Sequence, residues 1–243
     1  MTGTRVTGYP TSSNRASSFH LHWLPRVELS ELSVILAVTS PPEVEDLHFW
    51  ALQASFAGSD GVTGGGHLGL QWHSSYPDRG AVNWGGYDRG GSIISGTESS
   101  LPSILGNPHT RDFPWLTGVD YLLRIRADQP GWWAGEVTNV GSGTSTVVRS
   151  LNGGGDRLVL PIVWTEVFAR CDAPPSAVVW SRPAGVMLDG SAWEPDSYSV
   201  TYQREEDGGC SNTNVAALPH GVAQITGTSR NTPHGAVIPT AGH

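Results

Sequence analysis

The chain has 243 residues, 14 cationic side chains that are all arginine, and a formal net charge of −8. No basic tract is present to neutralise phosphates, so nucleic acid is not an expected partner, and the absence of lysine excludes any mechanism that needs one. Thirty-one Gly, 17 Pro and only 15% charged residues favour turn-rich β structure, at a length that one large all-β domain can reach.

The N-terminal stretch MTGTRVTGYPTSSNRASSFHLHW has neither the apolar run of a leader nor that of a membrane span. No membrane association is therefore expected. The sequence alone is compatible with cytoplasmic residence, or with secretion if a leader had been removed. Strands are predicted near 18–24, 31–39, 47–56, 66–73 and 80–87, then near 119–127, 132–139, 144–150, 158–170, 176–182, 197–204 and 221–227. Each is a short run rich in β-branched and aromatic residues between turn signals such as YPDRG, ADQPG, GSG, NGGGD and EEDGG.

Segment 95–115 has no strand pattern and carries His109, Arg111, Asp112 and Trp115, so it is expected to be a long loop able to wall a cleft. Residues 1–227 read as a single domain and 228–243 as a flexible C-terminal tail. Cys171 and Cys210 each follow a late strand beside a turn and are expected to lie close enough to bridge. Such a bridge would contribute roughly 4 kcal/mol in the chain-entropy model. Together these features predict an all-β fold, a two-sheet antiparallel jelly-roll sandwich of at least ten strands with very little helix.

The cadence YLLRIRA, WWAGEVTN, then a third strand and PIVWTEVF resembles the concanavalin A-like sandwiches, which include laminin G-like modules, lectins, glucanases and lyases. LHFWALQASF followed by HLGLQWH and RGAVNWGGYD also resembles an uncharacterised bacterial β-sandwich family. That likeness covers roughly residues 47 to 170 and implies a fold more than a function.

Alternation across a strand gives these segments a testable surface. In HFWALQASF, Trp50, Leu52, Ala54 and Phe56 share one side and Gln53 and Ser55 the other; in HLGLQWH, His67, Gln71 and His73 share a side, with Gly69 leaving a gap where a ligand ring could approach. In RGAVNWGGY, Val82 and Trp84 are apolar-side and Arg79, Asn83 and Tyr87 lie opposite. The row Gln53, His67, Gln71, His73, Arg79, Asn83 and Tyr87 is an inventory suited to hydrogen-bonding a carbohydrate or another small polar, polyhydroxy ligand. Gln71 is expected to be a solvated amide on that face.

The tripeptide QWH resembles the Q-x-H strand of alginate-lyase-type jelly rolls. That resemblance implies an enzyme with His73 as base, Gln71 holding a carboxylate, and Arg79 or Arg124 with Tyr87 assisting. The R-x-E-x-R and Y-x-K-x-G strands of those lyases are missing. Glu136 and Glu166 sit in strand-like surroundings, where rim or structural roles compete with a place in a cleft. An accessory, protein-binding sandwich is the third reading. No cofactor is expected, although EPDSY and GSDG carry oxygen ligands that could suit Ca²⁺.

Overall fold

The computed structural model describes residues 5–240. Its strands, in sequence order, are β1 (Ser17–Leu24), β2 (Leu29–Ser40), β3 (His48–Gly58), β4 (Gly61–Trp72), β5 (Gly80–Asp88), β6 (Ser103–Ile104), β7 (Asn107–Asp112), β8 (Asp120–Ala127), β9 (Trp133–Asn139), β10 (Thr144–Leu151), β11 (Arg157–Val167), β12 (Ala177–Met187), β13 (Ala192–Trp193), β14 (Ser197–Tyr202), β15 (Thr213–Leu218), β16 (Gly221–Thr226) and β17 (Val237–Pro239). Helix among the described residues is limited to two single 3-10 turns, Pro77–Arg79 and Glu205–Asp207. No helix among these residues is long and apolar enough to cross a membrane.

All pairings are antiparallel and resolve into two curved layers. The first runs β6–β7–β5–β4–β3–β11–β1–β14–β17. The second runs β15–β16–β12–β2–β8–β9–β10, with β13 alongside β12. One bridge, Leu158 to Leu29, joins the layers at a corner.

The two layers close over one apolar cluster. From the first come Phe19, Leu21, Trp23, Trp50, Leu52, Phe56, Leu68, Leu70, Val82 and Trp84; from the second come Leu32, Val34, Leu36, Leu123, Ile125, Val178 and Trp180. Period-two alternation forces this arrangement, because each strand turns one side group in two inward and the apolar ones lower the free energy only when both layers bury them. Every strand predicted from the sequence is present, with ends shifted by a few residues.

Four departures have physical causes. Segment 95–115 contains β6 and β7, and Pro108 and polar residues mask β7 in the sequence, a composition that a strand tolerates near a sheet edge. β15 pairs with β16 through a Pro219–His220 turn whose one glycine, Gly221, already belongs to β16, so the run of turn residues is short. The expected tail is tied down through residue 240, since β17 pairs with β14 and Ile238 joins the core. Gly69 leaves no gap, because a Cβ there would strike the Trp50 carbonyl oxygen of β3.

Cys171 and Cys210 form a disulfide with Cα atoms 5.5 Å apart. It ties the end of β11 to the approach to β15.

Gly66 of β4 faces the core, where an added Cβ would lie 2.7 Å from both the Phe56 and Trp84 rings. Both rings are fully buried and cannot retreat. Gly66→Ala is therefore expected to lower unfolding free energy by about 1–3 kcal/mol through overpacking, read as a fall in the thermal denaturation midpoint; an unchanged midpoint would show that the two rings can shift freely.

Candidate active site on the outer face of the first sheet

The strand register builds the outer face row by row. Glu166 of β11 lies opposite Phe49 of β3, which lies opposite Gln71 of β4. Ile162 lies opposite Gln53, and Gln53 opposite His67. Next to β11, His20 of β1 pairs with Trp164 on one side and Thr201 of β14 on the other.

The floor of this face is a small apolar cluster separate from the core, made of Phe49, Ala51, Ile162 and Trp164. The Phe49 and Trp164 rings meet edge to face at 4.8 Å, and His67 packs on both at 5.6 and 6.0 Å. An outward-facing apolar floor with polar walls is how a binding site differs from an ordinary solvated sheet face. The walls are Ser18, His20, His22, Gln53, Glu166 and Thr201, which enclose a groove of about 420 Å³ with Ile162 and Trp164.

Glu166 is the carboxyl group of this groove. Burial raises its pKa above the ordinary carboxylate value, and a 2.8 Å hydrogen bond donated by Asn14 Nδ2 to Glu166 Oε1 opposes part of that rise. A carboxyl group tuned upward by burial inside a groove is suited to proton transfer. The neighbouring imidazoles are pushed the other way. Burial, reinforced by His22, holds His20 down at about 4, and His22, lowered by burial and by Arg26, shares a 3.2 Å hydrogen bond with Thr201 Oγ1. Both are neutral imidazoles near neutral pH, so the groove presents a carboxyl, amides and hydroxyls rather than fixed cations.

The residues singled out from sequence fall into three groups. Gln53, His67, Gln71 and Asn83 share the outer face through their register. Gln53 lines the groove, and its Oε1 accepts the Trp164 Nε1–H at 2.9 Å, which leaves its NH₂ as a donor. Tyr87 is exposed at the far end of β5, its ring 6.2 Å from His67.

His73 and Arg79 stand apart. β4 ends at Trp72, and His73 turns into the following loop, where its Nδ1 accepts the Ser75 N–H at 3.0 Å. Arg79 is exposed and lies over the Trp72 ring at 5.5 Å. Arg79 ends the Pro77–Arg79 turn, and the seven residues Gly80–Gly86 of β5 separate it from Tyr87, roughly 23 Å of strand, so His73, Arg79 and Tyr87 do not converge on one substrate. Arg124 belongs to the opposite layer, in an ion pair of 2.6 Å with Glu31.

Gln71 corrects another expectation. It is buried, its Oε1 accepting from Tyr76 Oη at 3.3 Å and from Thr110 Oγ1 at 3.2 Å, while Asn83 Nδ2 donates to the same Thr110 hydroxyl at 3.0 Å. The β7 edge and the 73–80 loop supply those partners, and neither placement is readable from β4 alone. Trp115 does approach from the 95–115 segment, donating its Nε1–H to the Gln71 backbone carbonyl at 2.9 Å. Glu136 pairs with Ser145 and Arg126 on the second layer, a structural role. Among the described residues, no group of three or more His, Cys, Asp or Glu side chains is placed to hold a metal ion.

His20, His22, Trp164 and Thr201 belong to the groove although the sequence patterns above do not single them out. A signal for two of them is present: SFHLHW alternates Ser18, His20 and His22 against Phe19, Leu21 and Trp23, as HLGLQWH does.

His20, His48 and His67 all have folded-state values of about 4, each dominated by burial. Because these values lie below the ordinary 6.5, the stability that the neutral rings contribute is fully present above pH 6.5 and declines as pH falls from 6.5 towards 4, where the unfolded state takes up protons first. A thermal midpoint measured across that window should drop with acidification, and one that rose would contradict the burial of these rings.

No protein-family model matches the sequence, and no curated protein matches it. Among solved structures, it is similar to scytalido-glutamic peptidase bound to a peptide-based transition-state analogue, at a TM-score of 0.52 and 10% identity, over 86% of this chain and 98% of that one. It is also similar to SCP-B, a member of the eqolisin family of peptidases in complex with the tripeptide Ala-Ile-His, at a TM-score of 0.50 and 10% identity over the same shares. At this identity the likeness establishes a shared β-sandwich fold.

Proposed function

We propose that the protein is a hydrolase that cleaves a peptide laid along the outer face of the first sheet, with Glu166 as the proton-transferring group. The observation that carries this reading is the row Glu166–Phe49–Gln71, which sets a carboxyl group of raised pKa and a side-chain amide two strands apart on one surface. Two strand spacings are about 9.6 Å between Cα atoms, a width that admits a scissile carbonyl and its attacking water. One of the similar peptidases is named for a glutamate, and the two hold a peptide-based analogue and a tripeptide, which supports the choice of bond.

In this mechanism ionised Glu166 takes a proton from water as the water oxygen bonds to the scissile carbonyl carbon. The Gln71 NH₂, left as donor because its carbonyl oxygen is already engaged by Tyr76 and Thr110, stabilises the developing oxyanion. Glu166 then delivers the proton to the departing amide nitrogen as the C–N bond breaks. Gln53 and the Trp164 floor hold the neighbouring stretch of substrate.

Carbohydrate binding is the second reading, favoured by the combination of an aromatic floor with Gln53, His22 and Thr201 hydrogen-bonding groups around it. The raised pKa of Glu166 favours the first, since a sugar-binding platform does not need a tuned acid. The lyase reading built on His73, Arg79 and Tyr87 loses its convergence. The disulfide suits an oxidising compartment, which supports an extracytoplasmic setting.

Quenched fluorogenic peptides test the proposal. Wild-type protein should cleave them with a kcat/KM limb at an apparent pKa above the ordinary carboxylate range, and Glu166→Gln should lose about 10²–10⁴-fold in kcat with KM little changed. Cleavage that survives Glu166→Gln, or a glycan array hit with no peptide cleavage at any pH, would overturn it.

A further inference from the structure

We infer that the groove continues past β14 into a carboxylate-binding subsite built on Arg5 and Arg230, so that preferred substrates carry an anionic group at a fixed distance from the cleaved bond. This rests on the peptide-cleaving reading above and gives it a substrate class.

The continuity is structural. Ser18, His20 and Thr201 line both the Glu166 groove and an adjoining cavity of about 460 Å³. Tyr202, Arg204 and His234 are shared in turn between that cavity and a third, of about 520 Å³. Cavities that share lining residues in turn, the third lying beyond the end of β14 where the Tyr202 ring turns inward, follow a path that fits an extended peptide better than a compact ligand.

The third cavity is lined by Arg5, Arg204 and Arg230 together with Glu205 and Glu206, and its charges are unevenly spent. Arg204 is ion-paired with Glu206 at 2.6 Å and Asp207 at 2.9 Å. Glu205 Oε2 accepts the backbone N–H of Arg5 at 2.8 Å and lies near enough to Arg230 to act on it electrostatically. Among the described residues, neither Arg5 nor Arg230 has a carboxylate within ion-pair distance of its guanidinium. Arg5 Nε is buried without a partner, and its Nη1 has only a long 3.4 Å contact to the Tyr9 carbonyl.

Arg230 is held rigidly. Its guanidinium lies 3.9 Å above the Tyr202 ring and donates to the Thr213 and Cys210 carbonyls and to Thr213 Oγ1 through Nε and Nη2, while Nη1 has no hydrogen bond. His234 Nδ1 accepts the Tyr202 N–H at 3.2 Å, which leaves the Nε2–H as a further donor. Two guanidiniums without an ion-pair partner among the described residues and an imidazole N–H around one cavity recognise a carboxylate, whether that of an acidic residue or the free C-terminus of a peptide.

The test uses quenched peptides of one core sequence with Glu, Gln or Lys stepped through each position, each made with a free or an amidated C-terminus, assayed at pH 5 in low and high salt. A Glu at one position, or a free C-terminus, should raise kcat/KM about tenfold or more over its neutral counterpart, the effect of a charged hydrogen bond, and added salt should shrink the gain. Arg230→Gln should erase it, and Arg5→Gln, which leaves the Tyr202–Thr213 packing intact, should reduce it while preserving cleavage of neutral peptides. Which arm shows the gain identifies the carboxylate's source. If no peptide is cleaved, fluorescence anisotropy of the same set still decides: carboxylate-dependent binding lost in Arg5→Gln upholds the subsite while the hydrolase reading falls. No carboxylate preference in either assay, or one untouched by both substitutions, overturns the inference.

Discussion

The structure depends on the burial of large aromatic side chains between two pleated layers. Trp23, Trp50, Trp84, Trp133, Trp180 and Phe56 are almost wholly removed from water, and at about 25 cal/mol per Å² of apolar surface each resists being turned outward by a few kcal/mol. A strand cannot slip by one residue without exposing its whole inward set. The facing of every residue on β1, β3, β4, β5 and β11 is thereby settled, including those that point away from the core. The outer row is a consequence of the inner one: Glu166 faces the groove because Val163 and its inward neighbours face the core.

Bulk also explains how closely the strands approach. Gly66 gives way to Phe56 and Trp84, and Gly69 to the backbone of β3, so the glycine-rich β4 answers to packing on both faces. The disulfide and β17 lie at the end of the fold where Arg230, in the segment between β16 and β17, is held. Arg230 reaches the Cys210 carbonyl, and Asn212 Nδ2 donates to the carbonyl of Cys171. The residues that close the fold at that end thus also shape the cationic cavity.

Much of the fold is legible in the sequence because alternation is a local property. SFHLHW, HFWALQASF and HLGLQW declare their inward faces with no knowledge of their neighbours, and the twelve predicted strands follow from such runs. The site is legible only in part. Gln53, His67, Gln71 and Asn83 can be placed on one face from their own strands, but which strands are neighbours is a long-range fact. β3 sits between β4 and β11, and β11 between β3 and β1, so Glu166 and His20 enter the groove from segments about 110 and 30 residues away from Gln53 in the sequence. The burial of Gln71 is equally invisible, being imposed by Tyr76 in a loop and Thr110 on an edge strand. His73 departs from expectation for a simpler reason: extending the alternation by one residue passes the end of β4.

Glu166 and Gln71 are proposed to flank the bond that is cut, and a crystal structure of the Glu166→Gln protein with an uncleaved peptide tests this most directly. The expected result is an extended peptide on the outer face of the first sheet, its scissile carbonyl oxygen within hydrogen-bonding distance of the Gln71 amide and a water between its carbonyl carbon and residue 166. A peptide bound on the second layer, or one crossing the first sheet without approaching either residue, would contradict it.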